Sequence, residues 1–177
     1  NILGFKVGAD VQDILSALKI IAVLVISALI FIFTPKAAEF TFTSPKGNIF
    51  LGLAPAMIPV MFSYGGWHQS TFLSGEFKDV KRALPLSLLT SIAVLACVYA
   101  LINMAYLHIL SPGEMSQTTA IASDIFKRLF GMGGLWIVAL TVLISSSGAL
   151  NSTILTGGVI PFAVAKDYAR LKWLAVL

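Results

Sequence analysis

Four long apolar stretches, separated by short polar segments, dominate the chain and predict membrane-spanning helices. A spanning helix needs about 20 consecutive, mostly apolar residues. The predicted spans cover residues 10–33, 49–74, 84–110 and 135–165. Asp10 and Asp13 have the spacing of a capping box and predict the start of the first span, and Thr34-Pro35 predicts its end.

The polar segments predict one further helix. Ser111 and Glu114 are again spaced as in a capping box, and apolar residues then recur on one face of residues 116–130. This pattern predicts an amphipathic extracellular helix that lies on the membrane or plugs a vestibule. Residues 172–177 begin another apolar stretch, so we expect an all-α transmembrane domain fragment, 1–177, from the middle of a longer protein.

The second span is predicted to be broken near residues 63–68. Pro55 and Pro59 each remove a helix donor, and Gly65 and Gly66 disfavour a helix interior. Non-helical backbone at membrane depth is tolerated where it is buried in protein or lines a water-filled cavity. A discontinuous span therefore points to a binding site. The alternative is a kink that serves packing alone.

Composition excludes the classes of protein that need a charged, water-facing surface. The chain is 58% hydrophobic and 11% charged, whereas soluble domains carry about 25% charged residues. This excludes a soluble enzyme, a disordered chain and a nucleic-acid-binding module. The single cysteine, Cys97, excludes a disulfide framework, and His68 and His108 lack metal-ligand spacing. We therefore expect neither a metal nor a cofactor.

The distribution of lysine and arginine indicates the orientation of the spans. Seven of these residues lie on one predicted side and four on the other. Since cytoplasmic loops carry the excess of positive charge, the richer side is expected to be cytoplasmic. The seven are Lys6, Lys78, Lys81, Arg82, Lys166, Arg170 and Lys172.

Lys19 is a charged residue inside the first predicted span. A lysine at the centre of a spanning helix costs about 2.5–3.5 kcal/mol on insertion scales. Two interpretations are open from the residues alone. The side chain can snorkel to the membrane surface, or it can be a buried functional ammonium group with hydroxyl partners. The run Ser145, Ser146 and Ser147 offers such hydroxyls.

Three segments resemble a known family. Residues 62–85, FSYGGWHQSTFLSGEFKDVKRALP, are similar to the sixth transmembrane segment and following loop of amino acid–polyamine–organocation (APC) superfamily transporters. Residues 11–24 resemble their fifth segment and residues 145–167 their eighth. The likeness is nearest to the L-type amino acid transporter branch and its bacterial relatives. It implies a five-plus-five inverted-repeat fold with a broken helix 6, of which this chain would supply about helices 5 to 8.

The resemblance also implies a substrate site on one continuous run of residues. Main-chain carbonyls of Phe62, Ser63 and Tyr64 would hold the substrate's α-amino group, and Phe62 would in addition gate the site from outside. The two glycines that follow would give room, and the last two residues of the run would set side-chain selectivity. The run is Phe62, Ser63, Tyr64, Gly65, Gly66, Trp67 and His68.

The resemblance implies a coupling site as well. Lys19 matches a fifth-helix lysine that takes the place of a sodium ion in proton-linked and exchanging members. Ser145, Ser146 and Ser147 would complete this coupling set. Relatives commonly have an arginine where this chain has Val159, and this departure leaves open a degenerate or inactive copy.

The expected function is secondary active transport of amino acids across the cell membrane by alternating access, either proton-coupled or by exchange. The expected partners are an amino-acid substrate, the lipid bilayer and the remaining helices of the full-length chain, with no nucleic acid. An accessory subunit is left open. One alternative is a non-transporting membrane scaffold or sensor of the same fold. A membrane-embedded enzyme is less favoured, because the sequence offers no catalytic constellation.

Overall fold

The computed structural model describes residues 5–34, 49–67, 69–72, 74–76 and 79–167, and its regular structure within these ranges is helical. The elements in chain order are α1 (Phe5–Phe33), α2 (Ile49–Ser63), α3 (Gln69–Phe72), a 3₁₀ turn (Ser74–Glu76), α4 (Val80–Ile109), α5 (Pro112–Met115) and α6 (Ile121–Asp167). His68, the predicted loop before α2 and the further span at 172–177 lie outside the described residues.

Three helices in the described ranges are long and apolar enough to cross a membrane: Lys6–Phe33, Val80–Ile109 and Ile121–Phe162. Their outer faces carry large exposed apolar side chains, such as Ile32 at 70% and Leu89 at 68% exposure. Apolar surface of this extent needs lipid or further protein against it. The chain is therefore part of a multi-pass membrane protein.

The described core lies where α1, α4 and α6 meet at one end of the spans. Packing there removes apolar surface from both water and lipid contact and joins the three helices. Its fully or nearly buried members are Ile26, Ile30, Ala105, Leu110, Ile125, Phe126 and Val138.

The ends of α1 and α4 depend on contacts that differ from the predicted ones. The N-cap predicted at Asp10 is wrong, because α1 begins at Phe5 and runs through Asp10. Its first turns are held instead by α6, since Asn151 Nδ2 donates to the Gly8 carbonyl oxygen at 3.1 Å. Helix α4 begins at Val80, because the Asp79 carboxylate accepts from the Arg82 backbone N–H at 3.3 Å.

A bend at Gly131 divides α6 into residues 121–130 and 132–167. Gly131 has φ 60° and ψ −137°, a conformation that is open to glycine and strained for other residues. Three residues later, a methyl group on Gly134 would lie 2.1 Å from the Phe126 carbonyl oxygen. The amphipathic segment therefore begins at Ile121 and packs tightly against residues 132–167, the span that follows it in the same helix.

The predicted capping box at Ser111 and Glu114 is present at the start of α5. The Ser111 backbone N–H donates to Glu114 Oε2 at 2.9 Å, and the Glu114 N–H donates to Ser111 Oγ at 3.4 Å. Arg128 adds an ion pair at 3.4 Å. The hydrogen bonds from the Ser111 backbone and hydroxyl, and then Arg128, hold the pKa of Glu114 below its usual range.

Replacing Gly134 with alanine is expected to destabilise the full-length protein by about 3 kcal/mol, because the new methyl group overlaps a backbone carbonyl that cannot move independently. Gly133→Ala is the matched control, since a methyl group there meets nothing within 4 Å. Denaturant unfolding of the purified variants in detergent measures the difference. Equal stability of the two variants would contradict the close approach.

The capping box is expected to weaken on acidification. A carboxyl whose folded pKa is depressed contributes stability that is present above its unfolded pKa, about 4.3 for glutamate, and is lost as pH falls through the folded value. Hydrogen exchange of the Ser111 amide, which donates to the Glu114 carboxylate, should therefore lose its protection between about pH 4.3 and the lower folded value, whereas Glu114→Ala should lack this protection at every pH. Identical protection in both proteins at neutral pH would rule out this role.

Candidate functional site

Helix α2 ends at Ser63, in the middle of the predicted second span. Its 15 residues are about 22 Å long at 1.5 Å per residue, which is short of the roughly 30 Å of the hydrocarbon core. A turn at 64–67 follows, and α3 begins at Gln69. Gly66 adopts φ 103°, which favours glycine.

The hydrogen bonds at this turn depart from the α-helical pattern. Gly65 N–H donates to the Phe62 carbonyl three residues back at 3.0 Å, and Gln69 N–H donates to the Gly66 carbonyl at 3.0 Å. A methyl group on Gly65 would lie 3.0 Å from that same Phe62 carbonyl oxygen. The two glycines therefore allow the chain to turn tightly here, which explains why α2 stops at this point.

A chamber of about 740 Å³ lies beside the turn, between α1, α6 and the end of α2. Its volume is ample for a small organic ligand. Lys19 is the charged side chain in a lining that is otherwise neutral within the described residues. That lining is Gln12, Lys19, Met61, Phe62, Gly65, Gly66, Gln69, Gly148, Ala149, Ser152 and Thr153.

Lys19 lies directly over Gly148 of α6. A methyl group on Gly148 would lie 2.6 Å from Lys19 Nζ, 2.7 Å from its Cε and 3.3 Å from Leu15 Cβ. Glycine at this position therefore leaves the volume that the lysine occupies. The ammonium group is thus directed towards α6 and the chamber.

Hydrogen bonds join α6 to α3 and to the part of α1 that precedes Lys19. Asn151 Nδ2 donates to Gln12 Oε1 at 3.0 Å, in addition to its bond to the Gly8 carbonyl. Ser152 Oγ donates to Gln69 Oε1 at 2.6 Å. Since these bonds cross between elements, they fix the walls of the chamber relative to one another.

A second cleft, of about 600 Å³, lies on the other side of α2, against α4. Its polar lining includes Tyr99 and Asn103 of α4 together with Ser63 and Tyr64. The Tyr99 hydroxyl donates to the Ser63 carbonyl oxygen at 3.0 Å. The end of α2 therefore separates two cavities, each lined by part of the turn.

The structure divides the predicted substrate residues between these cavities. Phe62, Gly65 and Gly66 share the chamber with Lys19, whereas Ser63 and Tyr64 line the second cleft. Trp67 is 58% exposed and lines neither cavity, and His68 lies outside the described residues.

The predicted coupling hydroxyls lie outside the chamber lining. Ser145, Ser146 and Ser147 are exposed on α6, and the chamber is lined instead by the residues that follow them, from Gly148 to Thr153. Sequence reasoning missed Gly148, Gln69 and Tyr99. The recurrence of Gly8, Gln12, Leu15 and Lys19 on one face of α1 was the available signal for the stripe that meets α6.

The site offers hydrogen-bonding and electrostatic groups rather than metal ligands. Within the described residues, no group of three or more His, Cys, Asp or Glu side chains is placed to hold a metal ion. The C-terminal end of a helix carries a partial negative charge from its last carbonyl groups. The end of α2, near the chamber, is therefore suited to attract the positive end of a small ligand.

Comparison with known proteins identifies the family. Residues 1–176 match the family model described as amino acid permease, and the chain belongs to this family, within the APC superfamily. It is 28% identical to mouse b(0,+)-type amino acid transporter 1 over 180 residues, which cover 100% of this chain and 37% of that protein. The family is one of transporters and is not enzymatic.

A second relative gives the same assignment. The chain is 32% identical to mouse large neutral amino acids transporter small subunit 2 over 165 residues, which cover 89% of this chain and 30% of that protein. The chain thus spans about a third of the length of the curated relatives that it matches. No solved structure matches it significantly.

Gly148→Ala is expected to displace Lys19 from α6 into the chamber and to lower stability by about 1 kcal/mol, because the lysine end can move whereas Leu15 Cβ must shift with its helix. Gly157→Ala is the matched control on α6, with open space at its added methyl group. The measurement is labelling of Lys19 by an amine-reactive ester in the full-length protein, read by mass spectrometry. Faster labelling is expected in the Gly148 variant alone, and equal rates in both variants would exclude the contact.

Proposed function

We propose that the full-length protein carries amino acids across the cell membrane by alternating access, as a secondary transporter that couples to protons or exchanges substrates. The single observation that supports this best is the chamber, in which Lys19 of α1 and the interrupted end of α2 meet. Membership of a permease family supports the same function. The two relatives are named as amino acid transporters.

The proposed ligand is an amino-acid zwitterion whose ammonium group approaches the end of α2. Unwinding leaves main-chain carbonyls that are able to receive N–H donors, and the dipole of α2 adds a favourable potential at that end. Phe62 is 88% exposed beside the chamber, as a side chain that gates access would be. The substrate carboxylate would be held by the first helix of a five-plus-five fold, outside this chain.

Lys19 is the proposed coupling residue. Its ammonium group would take the place of a bound cation and hold α1 against α6 through the contact with Gly148. Because like charges in one chamber repel, the positive ends of Lys19 and of the substrate disfavour each other. Deprotonation or displacement of Lys19 in one conformation would relieve this repulsion, and transport would then be coupled to protons or to exchange.

A non-transporting scaffold or sensor of the same fold is the second candidate, and Val159 is the residue that favours it. This position, half-buried on α6, would lack the charged contact that an arginine makes.

Lys19→Met is expected to abolish net uptake by the full-length protein in proteoliposomes, because methionine keeps much of the side-chain volume but removes the charge. Lys127→Met, on the exposed face of residues 121–130, is the control and should transport as the wild type does. Uptake of labelled leucine and labelled arginine is measured with and without an imposed pH gradient, and with unlabelled amino acid inside.

Two outcomes separate the candidates. Transport by Lys19→Met that equals the wild type at every pH would refute the coupling role. A folded wild-type protein that takes up neither amino acid under any of these conditions would favour the scaffold or sensor.

A further inference from the structure

The carbonyl group of Ser63 has a side-chain partner from another helix. In a continuous α-helix this oxygen would accept the N–H of the residue four positions later. Here the chain turns after Ser63, and the Tyr99 hydroxyl of α4 donates to the Ser63 oxygen at 3.0 Å. Tyr99 therefore satisfies, from 36 residues away in sequence, a carbonyl group at the break in α2.

The ring of Tyr99 makes a second contact with the same turn. It meets the Tyr64 ring edge to face, with centroids 5.3 Å apart and an interplanar angle of 86°. Aromatic pairs with this geometry are favourable beyond the area that they bury. Asn103 Nδ2 in turn donates to the Tyr99 carbonyl at 2.7 Å. The turn is thus tied to α4 at two successive residues, Ser63 and Tyr64.

From these contacts we infer that Tyr99 is a positioning residue for substrate binding: its hydroxyl and ring hold Ser63 and Tyr64 on the cleft side of the turn, and so fix the backbone of Phe62, Gly65 and Gly66, which lines the chamber. This inference rests on the proposed transport function. Tyr99 itself lines the cleft on the opposite side of α2 from the chamber, so it acts through the main chain of the turn.

The cost of an unpaired carbonyl group supports this role. A carbonyl without a donor in an apolar environment is costly, and since the chain turns after Ser63, the Tyr99 hydroxyl supplies that donor. By pairing with Ser63, Tyr99 lowers the cost of keeping the turn open.

Tyr99→Phe tests the inference, because it removes the hydroxyl and keeps the ring. Saturable uptake of labelled leucine by the full-length protein in proteoliposomes should show KM raised about two- to tenfold, which is the range expected for one hydrogen bond, with Vmax unchanged. KM reports on the molecules that transport and is independent of how many are folded. Tyr106→Phe, two turns further along α4 and part of neither cavity lining, should leave KM unchanged.

Each other result has a defined meaning. An unchanged KM in Tyr99→Phe, or a fall in Vmax alone with a lowered melting temperature, would overturn the inference and leave a packing role. If Tyr99→Phe melts as the wild type does but no longer takes up leucine, equilibrium binding of labelled leucine decides, and loss of binding supports positioning whereas intact binding overturns it. Absence of saturable uptake of leucine or arginine by the wild type would overturn the transport proposal, and this inference with it.

Discussion

The constraint on which this structure depends is that main-chain carbonyl groups at membrane depth must find donors. Helix α2 meets this constraint over its length and then ends at Ser63, well short of a full span. Beyond that point the Phe62 carbonyl accepts from Gly65 and the Ser63 carbonyl from Tyr99. The end of α2 is therefore held both by the glycine-rich turn that follows it and by a neighbouring helix, and a cleft and a chamber lie on its two sides.

Two glycines of α6 allow close packing at separate points of the structure. Gly134 admits the Phe126 carbonyl, and Gly148 admits the Lys19 side chain. The first contact folds the outer segment of α6 against the span, close to the apolar core that joins α1, α4 and α6. The second brings a charged group between α1 and α6 at the level of the chamber. Helix α6 therefore runs from the buried apolar core to the chamber.

Features that depend on local sequence could be predicted here, and features that depend on which faces meet could not. Runs of apolar residues indicated the three long apolar helices, and the spacing of Ser111 and Glu114 indicated a capping box that the structure contains. The capping box predicted at Asp10 failed because contacts with α6 extend α1 beyond a locally plausible start.

The candidate site shows the same limit. Lys19 and the glycines at 65 and 66 were recognisable because charge and helix-breaking residues are conspicuous inside apolar stretches. The pairings of Lys19 with Gly148 and of Tyr99 with Ser63 join residues far apart in sequence, so no local pattern specifies them. For that reason the hydroxyls of Ser145 to Ser147 were a reasonable expectation from composition, while the structure places the smaller residue beside the lysine.

The contact between Lys19 and Gly148 has a consequence for how this protein tolerates sequence drift. The Lys19 side chain fills the space between the two positions, and Gly148 contributes only backbone atoms there. A larger residue at 148 is compatible with a short one at 19, but two large side chains cannot be accommodated together. Substitutions at these sites are therefore interdependent, and the order in which they arise decides which pairs of residues the protein can reach.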